Sequence, residues 1–159
     1  MRKFDLIIFG ATGFTGRFVV ERLAATVCRD RLPTRWAIAV RDVNKMRHYL
    51  RQIESATGIT NLQRDVTVLE ADVRNATSMR KAFEQATLVM NCIGPYSLLG
   101  EPVVQACINS SIYIVLSFIV VGKYQTNHYT LSSRITLYGF GWRATVSRIY
   151  PTKIQSSGT

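Results

Sequence analysis

Hydrophobic positions along this chain fall into short continuous runs, separated by stretches in which apolar residues recur at helical intervals. Residues 4–9 (FDLIIF) form the first run and predict a buried strand. Over residues 14–27, Phe14, Phe18, Val19, Leu23 and Val27 recur at roughly helical spacing with charges between them. A basic connector over residues 29–35, containing Pro33, leads to a second strand at 36–40. The next helix, 43–55, places Val43, Met46, Leu50 and Ile53 on one side, and Gly58 opens a polar loop after it. A third strand follows at 66–71, then a short helix at 76–86 with Met79 and Phe83 inward. A fourth strand at 88–93, a helix at 100–108 and a β-rich run at 112–116 complete the series. Strands that alternate with helices imply a parallel sheet with right-handed crossovers and helices on both faces, a Rossmann-type α/β fold.

The pattern changes after residue 117. Residues 118–159 are rich in Thr, Ser and Tyr and show no clean period beyond 118–121, which predicts a boundary between an ordered domain, 1–117, and an irregular, poorly ordered tail. Charge follows the same division. The chain carries a net charge of +10. Every acidic residue lies between Asp5 and Glu101, and only Lys123, Arg134, Arg143, Arg148 and Lys153 are charged beyond that point. A basic tail attracts nucleic acid or an anionic membrane surface, but no RNA-binding signature accompanies this one, and nucleic acid is not an expected partner. The apolar stretch 112–121 falls short of the roughly 20 residues a spanning helix needs and is expected to be a buried strand. Cys28, Cys92 and Cys107 are isolated, without a CxxC pair, which argues against zinc and against a disulfide framework. With an N-terminal apolar run too short for a signal peptide, a reducing, cytoplasmic setting is expected.

The chemistry lies at the first strand-helix junction. Gly10-Ala11-Thr12-Gly13-Phe14-Thr15-Gly16 joins an apolar strand to an amphipathic helix, placing backbone N–H groups and a helix N-terminus where a pyrophosphate can sit. Gly10 is expected to make the tight turn, Gly13 to let the pyrophosphate approach and Gly16 to pack the helix closely. No Gly-Lys-Ser/Thr follows, which excludes a phosphate-cleaving P-loop. At the end of the second strand Arg41 stands where an NAD enzyme usually has an acid, with Asp42 next. A guanidinium there pairs with a 2′-phosphate, so NADP is favoured over NAD. Asp72, ending the third strand, is placed either to meet the adenine edge or to serve as a loop carboxylate. Asn91, Gly94, Pro95 and Tyr96 close the fourth strand at the carboxyl edge, where open sheets bind ligands. Gly94 and Pro95 are expected beneath the nicotinamide ribose, and Tyr96 either lines the pocket or serves as a proton donor. None of the seven tyrosines is followed four residues later by lysine, so no Tyr/Lys proton relay is present.

FDLIIFGATGFTG, WAIAVR and LVMNCIGPYSLLGEPVVQAC together resemble the saccharopine dehydrogenase-like oxidoreductases, over about residues 3–114. The resemblance implies a Rossmann domain with Gly10, Ala11, Thr12, Gly13, Phe14 and Thr15 around the cofactor phosphates and Arg41 on the adenosine side. It also implies association with lipid droplets or membranes. Two departures stand out. The family usually has Ala-Gly-Arg where this chain has Ala39-Val40-Arg41, and an Asp-x-x-Gly-Glu segment where it has Ile114-Val115-Leu116-Ser117-Phe118. The second departure, the acid-free tail and a Gly122-Lys123-Tyr124 codable by a splice-donor-like sequence lead to the expectation that the tail is intron read-through or a shifted frame and the chain a truncated form lacking the substrate domain. The resulting reading is an NADP-binding domain of an oxidoreductase, inactive alone. The alternatives are a non-enzymatic dinucleotide sensor or scaffold, and a lipid-surface protein.

Overall fold

The computed structural model describes residues 2–116, 129–137 and 144–151. Five strands, β1 (Phe4–Phe9), β2 (Trp36–Val40), β3 (Thr67–Glu70), β4 (Ala86–Asn91) and β5 (Tyr113–Leu116), form a parallel sheet in the order β3-β2-β1-β4-β5. Chain order reverses between β1 and β4, so a crevice opens there at the carboxyl ends of the strands. Crossovers are supplied by α1 (Phe14–Asp30), α2 (Val43–Thr57) with the short α3 (Leu62–Asp65), α4 (Ala76–Phe83) and α5 (Tyr96–Asn109).

Period-2 alternation sorts the strand side chains into two cores, as expected for a sheet covered on both faces. Ile7, Phe9, Ala37, Ala39 and Val89 face one way, with Met79 and Phe83 of α4 and Val103 of α5. Ile8, Ile38 and Val40 face the other, with Val20 of α1 and Met46, Leu50 and Ile53 of α2. The inward residues expected of α2 and α4 are therefore buried, apart from a partly exposed Val43.

Helix α1 differs from its sequence pattern. Its buried positions are Gly16, Val20, Ala24 and Thr26, whereas Phe14 and Phe18 are 83% and 60% exposed. Gly16, Val20 and Ala24, four residues apart, make the buried stripe, and Phe14 and Phe18 fall on the other side of the helix. They stack edge to face on each other, ring centroids 5.2 Å apart. Element ends also shift. Strand β4 begins at Ala86, earlier than expected, because α4 stops at Phe83. Helix α5 starts at Tyr96, a turn before Gly100, and carries Pro102 inside it. The polar loop after Gly58 holds α3, pinned by the buried Leu62.

Sequence periodicity shows no strand beyond residue 121, yet β6 (Tyr129–Leu137) and β7 (Ala144–Pro151) pair antiparallel with each other, and β7 pairs with β5. Both segments contain Thr, Tyr and Ile, residue types common in strands, without the strict alternation that announces a strand in sequence. The rest of the expected irregular tail, including the Gly122-Lys123-Tyr124 segment, lies outside the described residues.

Candidate dinucleotide site

The turn after β1 is built by its glycines. Gly10 has φ +84°, a left-handed conformation that suits a residue without Cβ. A Cβ there would also come within 2.3 Å of Ile93 Cγ1 and 3.0 Å of Ile93 N. The loops following β1 and β4 thus touch at the reversal of strand order. At Gly16 a Cβ would stand 2.4 Å from Gly10 O and 2.6 Å from Ala11 Cα. The close packing expected of Gly16 is therefore against the turn's own backbone. Gly13 is different: a Cβ there would meet only Gly10 O at 3.4 Å and Cys92 O at 4.0 Å. The space above Gly13 is open on the side where a ligand would approach.

Backbone hydrogen bonds hold this turn in place. Gly10 N donates to Ala39 O at 3.0 Å, Gly13 N to Gly10 O at 3.1 Å and Arg17 N to Gly13 O at 3.1 Å. The N–H of Gly13 is therefore used within the turn. The N–H groups available to an anion are those of the first turn of α1, at Phe14, Thr15 and Gly16, which no intrahelical carbonyl can reach. No side chain caps α1 and no acid lies in its first turn. Helices α2 and α4, by contrast, are capped by Asp42 and Asn75, which accept from Lys45 N at 2.8 Å and Ser78 N at 3.0 Å. The positive end of α1 is thus left open beside the glycines.

A cavity of about 310 Å³ opens at this edge of the sheet. Of the candidate residues it brings together Gly10, Thr12, Gly13, Arg41, Asp72 and Gly94. A Cβ at Gly94 would meet nothing within 4 Å, so the fourth-strand loop leaves its share of the cavity clear. Asp72 Oδ1 accepts from Arg74 N at 2.9 Å, and Ser78 Oγ receives the Asp72 N–H at 3.0 Å. Asp72 is thus a loop-shaping carboxylate that also lines the cavity.

Other candidates stand away from the cavity wall. Asn91 is fully buried, and its Oδ1 accepts from Ile93 N at 2.9 Å, which sets the bend of the fourth-strand loop. Ala11 and Gly16 are buried within the turn, whereas Phe14, Thr15 and Pro95 are exposed outside the cavity lining. The Gly94-Pro95 peptide is cis. The Tyr96 side chain lies outside the described residues. Val73, Arg74, Ile93 and Leu99 line the cavity without having been singled out from the sequence. Arg41 directly follows β2, whereas Arg74 stands four residues past the end of β3, and only the adjacency of these two strands brings it to the same cavity. A larger cavity, about 480 Å³, lies near the opposite edge, between Phe4, Val27, Trp36 and Leu62, away from all these groups.

Open first-turn amides, a glycine cradle with room above Gly13, and a guanidinium at the end of β2 that makes no ion pair among the described residues fit a dinucleotide with an extra phosphate. Comparison with known proteins agrees. The family model described as the saccharopine dehydrogenase NADP binding domain matches residues 6–136. The saccharopine dehydrogenase-like oxidoreductase of Rattus norvegicus is 42% identical over 113 residues, 69% of this chain and 26% of that protein. The lipid droplet localized protein of Caenorhabditis elegans is 37% identical over 113 residues, 69% of this chain and 25% of that protein. This chain therefore spans about a quarter of the length of these relatives. Apo histidine-tagged saccharopine dehydrogenase (L-Glu forming) from Saccharomyces cerevisiae shares the fold, with TM-score 0.51 and 19% identity, over 74% of this chain and 22% of that one. By the turn at Gly10, the sheet order and this match along most of its length, the chain belongs to the saccharopine dehydrogenase NADP-binding domain family.

Proposed function

We propose that residues 1–117 form the cofactor-holding unit of an NADP-dependent oxidoreductase. The observation that carries this reading is the uncapped N-terminus of α1 set over the Gly10–Gly13 turn, at the point where strand order reverses. The first-turn amides at Phe14, Thr15 and Gly16 would hold the pyrophosphate. Arg41 would meet the 2′-phosphate, since Asp42, the neighbouring acid, is engaged as the cap of α2. The open face at Gly94 would take the nicotinamide ribose, and Asn91 acts from below by bending the loop that carries Gly94. NADP, when bound, supplies hydride chemistry. This chain's residues bind and orient the cofactor.

Titration of the purified chain with NADPH and NADH, followed by nicotinamide fluorescence, tests this directly. The expected result is saturable binding with NADPH tighter than NADH by roughly tenfold or more, the effect of one charge-assisted contact. Binding of neither, or a preference for NADH, would refute it.

A second reading, placement at a lipid-droplet surface, is favoured by the name of the nematode relative. No helix among the described residues is long and apolar enough to cross a membrane. Surface attachment would rest on the basic residues beyond Glu101, and flotation with anionic but not neutral liposomes is the expected behaviour. Equal recovery with both liposome types, or with neither, would count against it.

A further inference from the structure

We propose that Arg74 is a second specificity-determining cation, closing with Arg41 on the 2′-phosphate of the cofactor. This rests on the NADP reading above and extends it to a residue in a different loop. Strands β2 and β3 run parallel, with Val40 opposite Glu70, and Ala71 N donates to Val40 O at 3.0 Å. The loops that leave these two strand ends therefore start side by side. One carries Arg41 and the other Arg74, and both arginines line the same cavity.

Their lack of ion-pair partners among the described residues supports the pairing. The ion pairs among the described residues are Arg29–Asp30, Arg35–Asp5, Arg64–Asp65 and Arg80–Glu84. Neither Arg41 nor Arg74 takes part in one, and both are exposed at the cavity rim. The acids of these loops are occupied with backbone. Asp42 accepts from Lys45 N and Asp72 accepts from Arg74 N. The second of these bonds also shapes the Asp72–Asn75 turn, closed by Asn75 N donating to Asp72 O at 2.9 Å, that brings Arg74 to the rim. A phosphate monoester carries a charge of about −1.5 to −2 at neutral pH, more than one guanidinium offsets. Two unpaired guanidinium groups on adjacent loops match that charge.

The test is the NADPH/NADH affinity ratio of the full chain, measured for wild type, Arg74→Met, Arg74→Lys and Arg41→Met, with 2′,5′-ADP and 5′-AMP as competing probes. Arg74→Met leaves the Arg74 backbone bond to Asp72 in place, and an unchanged melting temperature would show that the fold is intact. The expected outcome is that Arg74→Met weakens NADPH and 2′,5′-ADP roughly tenfold, the effect of one charged contact. NADH and 5′-AMP should stay within about twofold, and Arg74→Lys should recover part of the loss. Equal weakening of NADPH and NADH would mean that Arg74 acts on the adenine and would overturn the inference, as would no change in either. A wild-type chain that binds neither dinucleotide overturns the parent reading itself, a result distinct from both.

Discussion

At the scale of single residues, three glycines in one motif do three different jobs, and the Cβ each lacks separates them. Gly16→Ala drives a methyl into backbone at Gly10 and Ala11 that cannot yield. Overpacking of this kind costs about 1–3 kcal/mol or more, so both melting temperature and NADPH affinity should fall. Gly13→Ala meets only an ordinary contact at 3.4 Å, so its melting temperature should stay close to wild type while NADPH binding is lost. Thermal denaturation and fluorescence titration of the two variants side by side check this. If Gly13→Ala bound NADPH normally, the approach assigned to Gly13 would be wrong. The glycines and Arg41 were readable in sequence because each sits at a fixed offset from a strand end. Arg74 was not, because its proximity to Arg41 depends on which strands are neighbours. Cysteine reactivity also belongs to this scale. Cys28 is exposed, whereas burial pushes the Cys107 thiol far above its usual range. Iodoacetamide on the native chain should therefore alkylate Cys28 and spare Cys107, as read by mass spectrometry.

At the scale of elements, side chains cap α2 and α4, whereas α1, α3 and α5 start without a side-chain cap. Asp42 caps α2, and its removal by Asp42→Ala should cost about 1 kcal/mol, the usual worth of an N-cap. NADH affinity should not change, because Asp42 is not held as a ribose acceptor. A large loss of NADH binding in this variant would return Asp42 to the role an acid plays in NAD enzymes. Amphipathic α2 was legible because Met46, Leu50 and Ile53 are large and form a single stripe. The buried face of α1 was hidden because, of Gly16, Val20, Ala24 and Thr26, only Val20 is strongly apolar. Phe14 and Phe18, the largest apolar side chains of the helix, dominate the pattern and yet stand outside.

For the whole molecule, stability rests on both faces of the sheet. Phe9 of β1 and Phe83 of α4 meet edge to face with centroids 5.1 Å apart, both fully buried. Phe83→Ala should cost about 3–5 kcal/mol, from lost transfer energy and the cavity left behind, a drop readable by urea denaturation. The start of β1 is tied to the start of β2 by Asp5 and Arg35, whose side chains meet at 2.9 Å with Arg35 N also donating to Asp5 Oδ2. The Arg35 guanidinium, aided by that backbone N–H, holds the Asp5 carboxyl below its ordinary value of 3.8. A carboxyl depressed in the folded state stabilises the fold above its unfolded value and ceases to do so as pH falls through the folded value. The melting-temperature gap between wild type and Asp5→Asn should therefore be present near neutral pH and small, the pair being exposed. It should shrink as pH drops below 3.8.

The sequence by itself determined the alternation of strands and helices, the parallel sheet and the glycine turn, because these depend on local periodicity and on residues a few positions apart. Only the tertiary structure decided which loops converge. Strand order brings the ends of β2 and β3 together, seats the turn after β1 against Ile93 in the loop after β4, and pairs β7 with β5. These are contacts between residues tens of positions apart, for which a one-dimensional hydrophobic pattern has no term. The physical reason is that periodicity says which face of an element is buried, whereas packing closeness and strand adjacency say against what.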